Sequence, residues 1–168
     1  ERGMGSPLVG VHLGIPDGDM SALYANSTGI SLLRNFWGKV RFGAIEVMGG
    51  YQRFNRTAGQ GGSLFVYPLT ANVVVRAPDA LFRPYASLGG GAYGWDARTV
   101  TAPGIRQIVT GWDLGWTAAA GVEYYLRPRV AFDVSLRYHA TQGPGPQIGL
   151  PDKRLRFFGV WIGHYVRF

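Results

Sequence analysis

The amino-acid sequence predicts an all-β protein, a single antiparallel barrel of about eight strands. Apolar residues alternate with polar or small ones through most of the 168 residues, which is the period of a half-buried strand. Glycine is abundant, at 26 residues, and aromatic residues make up 14% of the chain, a composition that suits sheets better than helices. Tight turns alternate with longer Pro- and Gly-rich loops along the chain, as in an up-and-down barrel.

The length and charge of the chain limit the classes of protein to which it can belong. A chain of 168 residues is long enough for one domain and too short for two ordinary ones, so we predict a single domain over 1–168. The net charge of +7 permits an acidic partner, but the 17 Lys and Arg residues are scattered singly, and we expect no nucleic-acid binding. No run of about 18 apolar residues is present, so no membrane-spanning helix is predicted.

The first half of the chain contains four predicted strands. The first is SPLVGVHLGI and the second is STGISLLRNF, each with one apolar face. In the third, KVRFGAIEVMGGYQRF, the apolar parity slips, so we expect a β-bulge near Gly43–Ile45. The fourth is SLFVYPLTANVVVR, which places alternate apolar residues opposite Thr, Asn and Arg.

The second half supplies four more strands. YASLGGGAYGWDAR is the fifth, and a loop through TVTAPGIRQ leads to a long sixth strand over 110–126. The tight turn LRPR joins it to RVAFDVSLRYHA, and a Pro- and Gly-rich loop precedes the last strand, over 155–168. No helix is predicted, and the tight turns fall at one end of the barrel with the longer loops at the other.

Charged residues near the middle of strands indicate which face points inward. A soluble ligand-binding barrel turns its apolar face inward, whereas a membrane barrel turns that face to lipid. A basic residue facing lipid at midplane costs about 2–4 kcal/mol, so mid-strand charges favour a transmembrane barrel with a polar lumen. Because about eight strands leave an interior just wide enough for side chains, we expect a packed lumen and no large pore. The predicted lumen charge network consists of Arg41, Glu46, Arg76, Asp113, Glu123, Asp133 and Arg137.

Aromatic residues near the strand ends predict two interfacial girdles, because amphipathic rings favour the headgroup level of a bilayer. The predicted girdle contains Trp37, Tyr51, Tyr85, Trp95, Trp112, Tyr124, Phe158 and Phe168. Arginines on the loop side either meet lipid phosphates or form a solvated rim, and the sequence leaves both readings open. These arginines are Arg53, Arg56, Arg98, Arg106, Arg154 and Arg156.

Over essentially its whole length the chain resembles the small outer-membrane β-barrel family of Gram-negative-type bacteria, which includes the OmpA, OmpX and OmpW membrane domains. The end of the chain, GVWIGHYVRF, resembles the C-terminal assembly signal of that family through Gly163, Val166 and Phe168. The resemblance implies an outer-membrane location, short periplasmic turns and longer outer loops. It implies three kinds of partner: outer-membrane lipid or lipopolysaccharide, the barrel-assembly machinery during biogenesis, and other envelope proteins.

No stretch carries a convincing catalytic, metal-binding or cofactor-binding pattern, and we expect none of these functions. Some barrels of similar type are lipid A deacylases with a His-x-Ser motif, but here His139 is followed by Thr141 and shares the interior parity of Asp133. We therefore expect a structural or interaction role: envelope integrity, adhesion, or a subunit of an envelope assembly. The alternatives are a narrow OmpW-like passage for small or hydrophobic solutes, a lipid A deacylase-like hydrolase, and a soluble ligand-binding barrel.

Overall fold

The computed structural model of the chain describes residues 7–37, 43–57, 61–77, 81–102, 105–127, 130–143 and 154–166. Among these residues, no helix is long and apolar enough to cross a membrane. In chain order the elements are β1 (Leu8–Pro16), α1 (Asp19–Leu23), β2 (Ser27–Trp37), β3 (Gly43–Asn55), β4 (Gly62–Arg76), β5 (Phe82–Ala102), β6 (Ile105–Arg127), β7 (Val130–Thr141) and β8 (Arg156–Val166).

The eight strands form one closed antiparallel barrel, which confirms the predicted fold class. Each strand pairs with the next along the chain, and β8 pairs with β1 to close the sheet. The seam between β1 and β8 runs from Val9 opposite His164 to Pro16 opposite Phe157. Because the first and last strands pair, neither of them is left as a sheet edge along the described seam, and their backbone hydrogen bonds are made within the sheet.

The connections divide the barrel into two ends. At one end, called here the turn end, β2, β4 and β6 end and β3, β5 and β7 begin. At the other, the loop end, β1, β3, β5 and β7 end and β2, β4, β6 and β8 begin, and three of these strand pairs are separated by the longer sequence intervals 17–26, 56–61 and 142–155. This separation agrees with the pattern of turns and loops in the sequence.

The predicted β-bulge near Gly43–Ile45 is wrong. From Gly43 onward β3 keeps one register with β4, and from Ala44 onward it keeps one register with β2. The residues whose parity conflicted with the rest of the strand lie within 38–42, outside the described residues. Register irregularities instead occur between Val100 and Ala102 and between Tyr125 and Arg127.

The β5–β6 hairpin is longer than the sequence predicted. Pairing continues through Val100 opposite Arg106 and Ala102 opposite Ile105, where a loop was expected, because β-branched residues on both strands favour extended structure. Among the described residues, the pairing of β5 with β4 ends at Thr99, and the pairing of β6 with β7 begins only at Gly115, ten residues after β6 itself begins. The hairpin therefore projects past the rest of the wall at the loop end.

Helix α1, between β1 and β2, was not predicted either. It spans only five residues, too few for a helical period to be visible in the sequence. Its Met20 is fully buried in a hydrophobic cluster inside the loop end of the barrel. We call this cluster the loop-end plug; it contains Met20, Tyr24, Phe54, Leu64, Val66, Tyr93, Trp95, Ala97, Leu155 and Phe157.

Candidate functional site

The outer wall of the barrel is apolar on every side. Large hydrophobic side chains that alternate with the lumen-facing ones are more than half exposed, among them Val11, Leu32, Leu69, Leu88, Leu114 and Ile162. A soluble monomer rarely exposes contiguous apolar patches of more than a few hundred Å². A wall of this composition matches the outward-facing apolar band of a transmembrane barrel.

The lumen contains two buried ion pairs: Glu46–Arg137 joins β3 to β7 across the barrel, and Arg76–Glu123 joins β4 to β6 over the intervening β5. Arg137 on β7 donates from both terminal nitrogens to the Glu46 carboxylate on β3, over 2.8 and 3.2 Å. Arg76 on β4 donates from Nη1 to Oε2 of Glu123 on β6, over 2.8 Å. Charged groups this deeply buried require such partners, because an unpaired buried charge is strongly unfavourable.

Neutral polar groups extend these pairs. Asn72 donates from Nδ2 to Glu46 over 2.9 Å, and the Tyr85 hydroxyl donates to the Asp133 carboxylate over 3.0 Å. The Arg137 guanidinium also lies 3.4 Å from the Tyr85 hydroxyl oxygen, so the Glu46 and Asp133 sites are joined. Asn72 and Tyr85 were not predicted as members of this network, although both share the inward parity of their strands.

Of the seven residues predicted for the lumen network, the structure brings five together as lumen groups: Glu46, Arg76, Glu123, Asp133 and Arg137. Asp113 instead lies near the loop end, half-buried, where it accepts a hydrogen bond of 2.7 Å from Nε1 of Trp95. Arg41 lies outside the described residues.

The loop end of the lumen is filled by apolar and aromatic side chains. Phe54 and Phe157 of the loop-end plug meet edge to face, with ring centroids 5.3 Å apart, and Met20 reaches the plug from α1. Burial raises the pKa of Tyr24, which follows α1, so its phenol stays neutral within the plug. Nearer the turn end, the fully buried Trp161 ring lies 5.5 Å from the Arg137 guanidinium carbon.

His139 is buried inside the barrel. Its Nδ1 lies 2.9 Å from the Tyr93 hydroxyl oxygen, and its ring stacks on Phe157 with centroids 4.7 Å apart. A hydrolase acting on membrane lipid needs its catalytic groups where acyl chains can reach them, and the outer wall separates His139 from that surface. Within the described residues, no group of three or more His, Asp or Glu side chains could hold a metal ion.

The girdle prediction is wrong for two residues, Tyr85 and Trp95. Tyr85 and Trp95 are only 7% and 5% exposed and point into the lumen, where each donates a hydrogen bond to a carboxylate. Both residues point to the same face of β5 as the buried Ser87, whereas Leu88 points to the other face. A position near a strand end does not change the face to which a side chain points. Four other predicted girdle residues lie on the outer wall, namely Tyr51, Trp112, Tyr124 and Phe158. The remaining two, the side chain of Trp37 and the whole of Phe168, lie outside the described part of the chain.

Gly163, from the predicted assembly signal, has a packing role at the barrel seam. It pairs with Gly10 of β1 on one side and Asp133 of β7 on the other. A Cβ atom on Gly163, or on Gly10, would overlap the Trp161 ring. Val166 is the last residue of β8. Its side chain and the whole of Phe168 lie outside the described part of the chain, so recognition by the assembly machinery stays a prediction.

Neither a protein-family model nor a curated protein sequence matches the chain. Among solved structures it is similar to Neisserial surface protein A, at 15% identity and a TM-score of 0.65, covering 99% of both chains. It is similar to Ail, the attachment invasion locus protein of Yersinia pestis, in complex with the heparin analogue sucrose octasulfate (18%, 0.64, 100% of both chains). A third is the outer membrane protein OprG from Pseudomonas aeruginosa (13%, 0.62, 98% of this chain and 95% of that one). The likeness confirms the predicted resemblance at the level of the fold.

Proposed function

We propose that this chain, which has the fold of the small eight-stranded outer-membrane β-barrels, is an integral outer-membrane protein with a structural or interaction role. The observation that carries the proposal is the inverted distribution of polarity. Apolar side chains such as Leu69 and Leu114 face outward, while Glu46 and Arg137 are paired inside. This distribution is stable in lipid and unfavourable in water.

The filled lumen supports an interaction role over a transport role. The loop-end plug occupies one end, the ion pair Glu46–Arg137 crosses the interior, and the pair Arg76–Glu123 occupies its β4–β6 side. A solute path through the barrel would have to displace the plug and the Glu46–Arg137 pair. The buried position of His139 likewise supports a non-enzymatic role.

The loop end is the part of the molecule that we assign to contacts outside the membrane. The β5–β6 hairpin projects there, and its Ile105 and Ile108 are each 60% exposed. Arg106 on the same hairpin and Arg154 before β8 are also exposed. We take the partners to be outer-leaflet lipid or lipopolysaccharide and other envelope proteins, with the barrel-assembly machinery acting during biogenesis.

Electrophoresis of the purified protein in SDS tests the membrane assignment. The folded barrel is expected to migrate differently before and after boiling, because the closed sheet resists SDS until it is heated. It is also expected to need detergent or lipid to stay in solution. A chain that is monomeric and soluble without detergent would contradict the proposal and favour a ligand-binding barrel.

A lipid assay tests the non-enzymatic assignment separately. Folded protein incubated with lipid A is expected to release no fatty acid above the level of the boiled control. Release that disappears in the His139→Ala variant would overturn this assignment while leaving the membrane assignment intact.

A further inference from the structure

Two arginines share one aromatic ring on the outer wall near the loop end. Arg53 on β3, Phe65 on β4 and Arg98 on β5 all face outward, and the pairings of Arg53 with Phe65 and of Ser63 with Arg98 set the three side by side. The guanidinium carbons of Arg53 and Arg98 lie 5.6 and 4.6 Å from the Phe65 ring centroid. We call these three residues the Arg–Phe cluster.

The Arg–Phe cluster carries a net positive charge. Arg98 pairs with Asp96 over 3.0 Å, and Arg53 donates to the Ser63 hydroxyl over 3.3 Å. A guanidinium has five N–H donors, and the hydrogen bonds between described residues occupy one donor of Arg53 and two of Arg98. Two cations beside one carboxylate repel each other, and an added anion between them removes that repulsion.

An apolar groove of about 650 Å³ adjoins this cluster on the outer wall, within the size range of ligand sites, about 300–1,000 Å³. Tyr51 belongs to both features: it lines the groove, and its ring lies 6.0 Å from that of Phe65. The other apolar side chains of the groove come from β1, β2 and β8, namely Val11, Leu13, Ile30, Val160 and Ile162.

The groove lies beside the arginines and continues away from the loop end. Through Thr28, Leu13 lies level with Arg53, whereas Ile30 and Val11 lie level with Tyr51, two residues farther from the loop end. The groove is therefore placed to take an acyl chain of a lipid whose anionic headgroup lies at the arginines. Neither a solvated rim of arginines nor a site for a free anion would require the adjoining apolar groove.

We infer that the Arg–Phe cluster and the groove together bind a phosphorylated lipid of the leaflet at the loop end. Arg53 and Arg98 hold the phosphate through charge-assisted hydrogen bonds, for which the planar guanidinium is well suited. Asp96 orients Arg98, and the apolar groove takes one acyl chain. The inference rests on the proposed function, because it requires the outer wall to lie in a membrane.

Native mass spectrometry of the folded protein in detergent micelles tests the headgroup site. The probes are diphosphorylated lipid A, the same lipid with its phosphates removed, and inorganic phosphate. The wild type is expected to retain the phosphorylated lipid, and the double variant Arg53→Gln/Arg98→Gln to bind it at least about tenfold more weakly. Arg34→Gln is the matched control and is expected to bind as the wild type does, because Arg34 is an exposed arginine beside an aromatic ring, 5.5 Å from the Phe36 centroid, but lies near the turn end of β2.

A second pair of variants tests the groove. Ile30→Trp fills the groove without adding charge and is expected to weaken lipid binding by about tenfold, whereas Leu69→Trp on β4, which does not line the groove, is expected to leave binding unchanged. Equal binding of the dephosphorylated lipid, or unchanged binding by the double arginine variant, would overturn the inference. Inorganic phosphate that binds alone, with no effect of Ile30→Trp on the lipid, would overturn it as well.

Each variant is first checked for the shift between boiled and unboiled samples in SDS. A wild type without that shift contradicts the proposed membrane function itself. A wild type with the shift but without selective lipid binding contradicts only the lipid site.

Discussion

Arg137 and Glu46 lie 91 positions apart in the sequence and form a two-point ion pair across the lumen, with N–O distances of 2.8 and 3.2 Å. Both side chains are only 2% exposed. The pair links β3 to β7 across the barrel interior, and Arg137 also faces the Trp161 ring. It therefore joins the polar network to the packing near the seam.

Glu46→Gln is expected to lower the free energy of unfolding by about 3–5 kcal/mol, because it leaves the Arg137 charge buried without its carboxylate. Urea titration in micelles, followed by tryptophan fluorescence, measures the change. The double variant Glu46→Met/Arg137→Met removes both charges and is expected to recover most of the loss. Equal stability of Glu46→Gln and the wild type would show that the pair is not important for folding.

Leu136→Arg is expected to destabilise the barrel in a bilayer by about 2–4 kcal/mol, because Leu136 lies near the middle of β7 and faces outward. Ile108→Arg is the control: Ile108 is similarly exposed but lies on the projecting hairpin, and its effect is expected to stay within about 0.5 kcal/mol. The folded fraction in vesicles, read from gel mobility over a urea series, gives both values. Equal effects at the two positions would argue against a lipid-facing wall.

Gly163→Val is expected to destabilise the closed barrel by about 1–3 kcal/mol, since the new side chain collides with Trp161 at the seam. At Gly49, on β3, an added Cβ meets nothing nearer than Leu69 Cδ1 at 4.0 Å. Gly49→Val is therefore expected to be tolerated. Refolding yield and urea stability of the two variants, measured side by side, decide the matter; a tolerated Gly163→Val would mean that Trp161 can move without cost.

Planar bilayers containing the wild-type protein are expected to conduct no more than bilayers without it. The physical reason is that the loop-end plug and the two buried ion pairs occupy the lumen. Stable channel openings that scale with the amount of folded protein would instead support the alternative of a narrow passage.

Alternation along the strands made most of the wall predictable from sequence. Glu46, Asp133 and Arg137 lie on the inward parity expected of them, because strand geometry allows a residue only two directions. Glycine weakens that signal: in SLGGGAYG the apolar pattern is interrupted, and the inward direction of Trp95 has to be counted across the gap from Leu88. The parity was available, but the position of Tyr85 and Trp95 near strand ends suggested the wrong face.

Other features depend on distances that a sequence does not contain. The partner of Arg137 could have been any of several lumen acids, and only the stagger of the closed sheet selects Glu46. The Arg–Phe cluster draws on three strands, and its groove on four, so neither has a local motif. The projecting hairpin is hidden in the sequence by Pro103 and Gly104, which read as the middle of a loop.

The β5–β6 hairpin also determines how the barrel bears mechanical load. Any object held by the hairpin pulls first on the ladder from Phe82 to Ala102, the longest in the sheet, and pulls along its strands. The shorter β1–β8 seam shares no strand with this ladder. Tension applied from outside therefore enters the wall where it is most extensively bonded, away from the junction at which the barrel would otherwise open.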